Sequence, residues 1–120
     1  FYTMYNLKPV GKHKLTIWDY EEIMPILLRA NTPEWEDYPI VLPNWDNTPR
    51  AGLDGLVFAN AKPALFRQLL RQAVERMRER SPERRLIFLK AWNEWAEGNH
   101  VEPDLKWGRQ WLEAIRDELN

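Results

Sequence analysis

Two short, unbroken apolar runs constrain the fold of this chain more than any other feature of its sequence. One covers residues 38–43, with Pro39 and Pro43 near its ends, and the other covers residues 86–89. A continuous apolar run of this length is typical of a strand that is buried on both faces, as in a parallel sheet. The run at 86–89 predicts the clearer strand, and a weaker strand is predicted at Leu56–Ala59.

Three helices are predicted around these strands. The first covers residues 20–29, with Asp19 as its N-cap, because aspartate accepts hydrogen bonds from the first free backbone amides of a helix. The second covers residues 63–80 and repeats apolar residues at three- and four-residue intervals. The third covers about residues 105–119. The predicted apolar face of the second helix consists of Leu65, Phe66, Leu69, Leu70, Ala73 and Met77.

The alternation of helices with short apolar strands predicts an α/β fold in which parallel strands are joined by right-handed βαβ connections. A (β/α)8 TIM-like barrel requires eight such units and about 250 residues, whereas this chain has 120 residues. We therefore expect residues 1–120 to form a single partial domain, the C-terminal portion of a barrel, with a small open sheet as the alternative. Its open strand edges require cover, either by a missing N-terminal barrel half or by self-association through those edges.

Composition excludes several classes of function. The formal net charge is -1, so bulk charge does not favour binding to nucleic acid or to an anionic membrane. The chain contains no cysteine, which excludes a disulfide framework and a thiolate metal site. It shows no apolar stretch long enough for a membrane span and no signal peptide, which predicts a cytoplasmic location. Because it begins with Phe1 rather than Met, we expect it to be a piece of a longer chain.

Tryptophan is unusually abundant, with seven residues in this chain. Its flat apolar ring with one polar edge suits stacking against a sugar as well as core packing. Trp107 and Trp111 fall at helical spacing and are expected in the core. Trp45, Trp92 and Trp95 instead lie beside acidic and turn residues, and we predict that these three contact a ligand.

Two polar loops follow the predicted strands, at residues 44–50 and 92–104. Ligands of α/β sheets bind at the carboxyl ends of the strands, so these loops form the predicted site. Glu94 and Glu97 are three residues apart and lie on the same side if the chain makes one helical turn. Repulsion and burial beside tryptophan favour one protonated and one ionised carboxyl, the pair that glycosidic chemistry uses. The alternative, which the spacing alone favours, is a surface loop whose glutamates are solvated or cap the final helix.

Other residues of these loops have both a structural and a functional interpretation. Asp46 either forms an Asx turn or binds sugar hydroxyls together with Arg50. Glu97 and His100 have the spacing of a Glu-x-x-His pair, but Gly98 opposes the helix that such a metal site needs. The sequence contains no second copy of that pair and no glycine-rich phosphate loop, so we predict neither a metal nor another cofactor.

The segment AWNEWAEGNHVEPD at residues 91–104 resembles the signature of the WbsX-like family, which is related to glycoside hydrolase family 99. The segments WDNTPR at residues 45–50 and GRQWLEA at residues 108–114 are similar to further motifs of that family. The resemblance spans most of the chain. It implies a (β/α)8 barrel of which this chain is the C-terminal part, and a bacterial enzyme of surface polysaccharide or lipopolysaccharide biosynthesis.

The resemblance also implies roles for individual residues. Glu94 matches the base that deprotonates the substrate's own 2-hydroxyl, and Glu97 matches the acid and base at the leaving oxygen. Glu102 matches a residue that braces the loop or binds a hydroxyl. Ala96 replaces a histidine of many family 99 hydrolases, so sugar contacts are expected to differ. The predicted substrate-binding residues are Trp45, Asp46, Arg50, Trp92, Asn93, Trp95 and Glu102.

A glycosyltransferase and an endo-glycosidase need the same acid and base, so both remain open for this chain. The alternative from a different class is a non-catalytic carbohydrate-binding or interaction module that uses the tryptophan surface. The predicted partner is an oligosaccharide or polysaccharide. These 120 residues are not expected to catalyse a reaction alone, because the other strands of a barrel supply further sugar contacts.

Overall fold

The computed structural model of the protein describes residues 15–28 and 36–120, which form an α/β arrangement of short strands and helices. The strands are β1 (Thr16–Asp19), β2 (Ile40–Val41), β3 (Leu56–Ala59), β4 (Phe88–Leu89), β5 (Asn93–Glu94) and β6 (Asn99–His100). The helices are α1 (Tyr20–Leu27), α2 (Thr48–Ala51), α3 (Pro63–Met77) and α4 (Gln110–Leu119). Single 3₁₀ turns cover Gly52–Asp54, Pro82–Arg84 and Trp95–Glu97. None of the helices in these two ranges is long and apolar enough to cross a membrane.

The two strands that the apolar runs predict are neighbours and run parallel, as β2 and β4. Both are shorter than the runs. Pro39 and Pro43 flank β2 and limit it, because proline has no N–H to donate to a ladder. Ile40 and Phe88 lie opposite each other and are 50% and 55% exposed. Within the described residues these strands are therefore buried on one face, and not on both faces as predicted: the side chain of Val41 is buried, and its neighbour in sequence points the other way.

A second parallel pair joins β1 to β3, with Trp18 opposite Phe58. The weak strand predicted at Leu56–Ala59 is confirmed as β3. The apolar runs do not predict β1, because its residues alternate: Ile17 is largely exposed, whereas Trp18 packs against the core. Alternation over four residues is a weak signal on its own, and the strand becomes visible only through its partner.

Helix α1 begins where the sequence predicts. The side chain of Asp19 accepts a hydrogen bond from the Glu21 amide at 3.0 Å, which is the predicted N-cap contact. The predicted helix end at residue 29 lies outside the described residues. Tyr20 is buried, and its hydroxyl donates to the Leu42 carbonyl at 2.6 Å. This hydrogen bond ties the start of α1 to the loop that follows β2.

Helix α3 supplies the centre of the hydrophobic core, and its predicted apolar face is confirmed in full. These buried residues are Leu65, Phe66, Leu69, Leu70, Ala73 and Met77. Helix α4 packs across α3, where the rings of Phe66 and Trp111 meet edge to face with their centroids 5.8 Å apart. Aromatic pairs prefer this geometry. Helix α3 ends at Met77 rather than near residue 80.

Helix α4 begins at Gln110, later than the predicted start at residue 105. The side chain of Asp104 accepts a hydrogen bond from the Trp107 amide at 2.6 Å, and this Asx turn occupies the place of the predicted first helical turn. Gly108 then adopts a φ of 55°, which a right-handed helix does not contain. Leu105 is consequently fully exposed.

Two arginines of α3 bind one carboxylate of α4. Arg67 Nε and Arg71 Nη2 lie 2.6 Å and 2.7 Å from Glu118 Oε1. The hydrogen bonds from Arg71 and Arg67 lower the pKa of Glu118 from 4.5 to about 2. Helices α1, α3 and α4 form the helical layer of the molecule. It is held together by apolar packing at its centre and by ion pairs at its outer edge.

Candidate functional site

The loops that follow β2 and β4 leave the same end of this parallel pair and lie against each other. The amide of Asp46 donates to the carbonyl of Glu97 at 2.8 Å, and Arg50 Nη1 donates to Glu97 Oε1 at 2.8 Å. Gly98 has a φ of +55°, and a Cβ on it would lie 3.1 Å from the Cβ of Asp46. The structure therefore brings the two predicted loops into close contact.

The loop after β2 is shaped by its own short polar side chains. Asp46 Oδ1 accepts hydrogen bonds from the amide and the hydroxyl of Thr48, at 3.0 Å and 2.6 Å. Asn47 Oδ1 accepts from the Leu56 amide at 2.6 Å. These contacts begin α2, which carries Arg50 towards the second loop. Asp46 thus forms the Asx turn considered for it, and its contact with a sugar stays a prediction.

Glu97 connects both loops and the end of β4. Besides the bond from Arg50, its Oε2 lies 3.4 Å from Lys90 Nζ, and its side chain is only 14% exposed. Lys90 Nζ also lies 5.0 Å from the centre of the Trp45 ring, a cation–π distance. No sequence pattern singles out Lys90, because it is one of 17 basic residues.

Glu94 is the last residue of β5 and directly precedes the 3₁₀ turn Trp95–Glu97. Glu94 lies outside this turn, with a φ of -83° and a ψ of 70°, so a common side of the loop for Glu94 and Glu97 stays a prediction. Glu94 is partly buried. Unlike Glu97, it forms no ion pair with a basic residue in the two described ranges.

A hairpin of β5 and β6 closes the second loop on itself, with Glu94 opposite Asn99. Asn99 is fully buried, and its Oδ1 accepts a hydrogen bond from the Ala91 amide at 2.7 Å. This contact fixes the loop to the end of β4. Sequence reasoning misses the role of Asn99, because an asparagine in a turn-rich segment is more often part of a turn.

Two of the tryptophans predicted to bind a ligand are exposed. Trp92 is 55% exposed and Trp95 is 49% exposed, and Asn93 between them is exposed as well. Both rings are therefore accessible to a ligand, and their contact with one stays a prediction. Trp45 instead packs against the core, so its predicted contact with a ligand would involve only part of its ring.

Trp95 is held along one edge and on one face. Its Nε1 donates to Glu102 Oε2 at 2.7 Å. Its ring stacks on the imidazole of His100, with centroids 3.7 Å apart and planes 13° apart. His100 Nε2 lies 3.1 Å from Asp104 Oδ2. Glu102 therefore makes a bracing contact, one of the two roles that the family resemblance implies for it.

Asp104 anchors this cluster to α4. Its Oδ2 accepts a hydrogen bond from Trp111 Nε1 at 3.0 Å. Burial by itself raises the pKa of Asp104, but the hydrogen bonds that the carboxylate receives outweigh burial and lower the pKa below 3.8. The donors are the Trp107 amide, His100, Trp111 and the Lys106 amide. Within residues 15–28 and 36–120, no three His, Asp or Glu side chains form a group that could hold a metal ion.

Comparison with known proteins identifies the family of this chain. The model of the family described as Glycosyltransferase WbsX matches residues 2–115, nearly the whole chain. The chain belongs to this family. The matched residues include all the described strands, both loops of the site and most of α4.

Two curated relatives are both described as uncharacterized protein WxcX, from two strains of Xanthomonas campestris pv. campestris. Each is 36% identical to this WbsX-family chain over 104 residues, which are 86% of the chain and 15% of the relative. The chain therefore spans only a small part of the length of these relatives. No solved structure matches it.

Proposed function

We propose that this chain is part of a carbohydrate-active enzyme that acts on glycosidic bonds of bacterial surface polysaccharide, as a glycosyltransferase or an endo-glycosidase. Membership of the WbsX glycosyltransferase family supports a carbohydrate-active role in polysaccharide synthesis. The observation that carries the proposal is the contact between the two loops, where Arg50 and the Asp46 amide both bind Glu97 at 2.8 Å. This contact lies at the carboxyl end of a parallel strand pair, where α/β folds bind ligands.

The proposal includes the fold of the whole domain, in which residues 1–120 form the C-terminal portion of a (β/α)8 barrel. β2 and β4 are parallel neighbours, and the chain between them contains α3, which packs against β2, as well as β3, which pairs with β1 in a separate sheet. The helix between two parallel neighbours supports the proposal, because neighbouring barrel strands are connected through a helix. The exposed side chains of Ile40 and Phe88 would then be covered by the missing N-terminal barrel half or, failing that, by self-association.

Glu94 and Glu97 are the proposed catalytic pair. Glu94 removes the proton of the substrate's 2-hydroxyl, whose oxygen attacks the anomeric carbon while the bond to the leaving oxygen breaks and Glu97 protonates that oxygen. In the second step an acceptor hydroxyl or water attacks the anomeric carbon and the bond between that carbon and the 2-oxygen breaks, while Glu97 takes the acceptor's proton and Glu94 returns a proton to the 2-oxygen. Neither carboxylate bonds to the anomeric carbon, and each acts only by proton transfer.

The surrounding residues have supporting roles in this proposal. Arg50 and Lys90 approach the carboxylate of Glu97 from its two oxygens and orient it, which matters because proton transfer requires hydrogen-bond distances. The exposed rings of Trp92 and Trp95 bind sugar rings. A sugar that covers these rings also displaces water, as a transferase requires when an acceptor hydroxyl must react in place of water.

The test is to replace each glutamate separately, as Glu94→Gln and Glu97→Gln, in the complete gene product. Turnover of a mannose-rich or O-antigen-like oligosaccharide, with and without a nucleotide-sugar donor, is expected to fall by about 10²–10⁴-fold while binding is retained. Glu113→Gln, on the exposed side of α4, is the matched control and is expected to keep normal turnover. Unchanged turnover in both loop variants would rule out the proposed pair.

A non-catalytic carbohydrate-binding module is the second candidate, and the exposure of Trp92 and Trp95 favours it. Such a module needs the tryptophan surface but no proton transfer. It predicts oligosaccharide binding by the wild-type protein without any turnover, and unchanged binding in both Gln variants. Substitution of either exposed tryptophan by alanine is expected to weaken oligosaccharide binding equally in a binding module and in an enzyme.

A further inference from the structure

His100 covers one face of the Trp95 ring, and this fixes which face is free. The two rings are nearly parallel, with a 13° angle between their planes and 3.7 Å between their centroids. Trp95 is nevertheless 49% exposed. Because a stacked imidazole excludes water from the area of the ring that it covers, a ligand that stacks on Trp95 must use the opposite face.

The imidazole of His100 is itself held in place by Asp104. His100 Nε2 lies 3.1 Å from Asp104 Oδ2, and both side chains are almost buried, with 11% and 12% exposed. The same oxygen of Asp104 accepts from Trp111 Nε1 at 3.0 Å, and Trp111 is part of the core. A chain of contacts therefore leads from the core, through Asp104 and His100, to the indole of Trp95.

The remaining freedom of the indole is rotation about its side-chain bonds, and Glu102 restrains it. The Trp95 Nε1 donates to Glu102 Oε2 at 2.7 Å. A hydrogen bond at the edge and a ring beneath the face together specify the tilt of an aromatic plane. An exposed tryptophan that only filled space would not need both restraints, whereas a surface that receives a flat ligand gains affinity from being held in place before binding.

We propose that His100 is a positioning residue that holds Trp95 as a flat platform on which one pyranose ring of the oligosaccharide stacks, with Asp104 fixing His100. The proposal rests on the proposed carbohydrate function and adds to it two residues and one face of the ring. The ligand is the apolar face of a sugar, and Glu102 holds the edge of the platform by accepting the hydrogen bond from Trp95 Nε1.

The experiment compares His100→Ala with His100→Phe in the complete gene product. His100→Ala removes the ring beneath Trp95 and is expected to raise KM for the oligosaccharide by about tenfold with kcat unchanged, because it weakens binding of substrate and transition state equally. His100→Phe restores a flat ring and is expected to return KM to within about twofold of the wild type. Binding measured by calorimetry follows the same order and needs no turnover.

A second readout follows the indole itself. The protein is labelled with 5-fluorotryptophan, and the fluorine signal of Trp95 is assigned by its absence in Trp95→Phe. In His100→Ala this signal is expected to report faster ring motion, while the signals of the other labelled tryptophans keep their shifts and so show that the variant is folded. Unchanged motion of Trp95 in a folded His100→Ala overturns the positioning role.

The outcomes separate this inference from the proposed function. Faster ring motion with unchanged KM and affinity overturns the platform and leaves the enzyme proposal intact. Absence of both turnover and oligosaccharide binding in the wild type overturns the carbohydrate function and the sugar platform with it, and the fluorine measurement still decides whether His100 positions the ring. Faster motion together with a raised KM, reversed by His100→Phe, supports the inference.

Discussion

The helical layer and the loop region of this molecule are held together by different forces. In the helical layer, six side chains of α3 are buried against α4 and α1, and apolar burial does not depend on orientation. In the loop region the contacts are hydrogen bonds and ion pairs, such as those from Arg50 and Lys90 to Glu97. Such contacts depend on distance and angle. The helices therefore supply most of the stability, whereas the polar contacts of the loops fix the positions of the side chains in the candidate site.

The largest expected effect is in the helical layer. Leu69 is fully buried on α3, and Leu69→Ala is expected to lower the free energy of unfolding by about 3 kcal/mol, from lost burial and the cavity that remains. Chemical denaturation measures this change. Leu105→Ala, at a fully exposed leucine, is the matched control and should change stability by less than about 0.5 kcal/mol. Equal effects of the two substitutions would contradict the division between the regions.

An intermediate effect is expected at the contact between the loops. Gly98 has a φ of +55°, and a Cβ would lie 3.1 Å from the Cβ of Asp46 and 3.2 Å from its amide nitrogen. Gly98→Ala is expected to lower stability by about 1–2 kcal/mol, because the left-handed conformation is costly with a side chain, and to lower turnover further than stability explains. Gly108→Ala is the control: it has the same φ of +55° but open space around it. If both variants lose the same fraction of turnover, the close approach of Gly98 to Asp46 does not explain the loss.

The smallest expected effect concerns the ion pairs at the edge of the helical layer. The pKa of Glu118 is lowered from 4.5 to about 2 by Arg71 and Arg67, so its contribution to stability is complete above about pH 4.5 and is lost as the pH falls towards 2. Glu118→Gln is expected to cost about 1 kcal/mol at pH 7. The difference from the wild type should shrink on acidification. A difference that stays constant down to pH 2 would show that packing, not charge, explains it.

The parts of the fold that follow from local periodicity could be predicted. The apolar face of α3 repeats over four turns, so the signal accumulates and every predicted residue is buried. The strands were harder, because burial of Ile40 and Phe88 depends on what covers their outer face, and that information is not local. Strand β1 depends on pairing with β3, forty residues later in the chain.

The site divides in the same way. The two loops are recognisable because each combines tryptophan, asparagine and carboxylates after an apolar run, and the structure brings them together. The contacts that hold them could not be predicted. Asn99, His100 and Lys90 act through partners that only the folded chain supplies, and the type of each residue alone favours a turn, a metal ligand or a solvated charge.

Glu97 attaches the two loops twice over, once through its carbonyl oxygen to Asp46 and once through its carboxylate to Arg50. Only the second attachment involves the side chain, and a glutamine at this position keeps an oxygen that can accept from the guanidinium. An amide substitution therefore removes an ionisable group and its ion pair with Lys90 but keeps the attachments to Asp46 and Arg50. A change in the kinetics of Glu97→Gln can consequently be attributed to the loss of the carboxylate rather than to separation of the two loops.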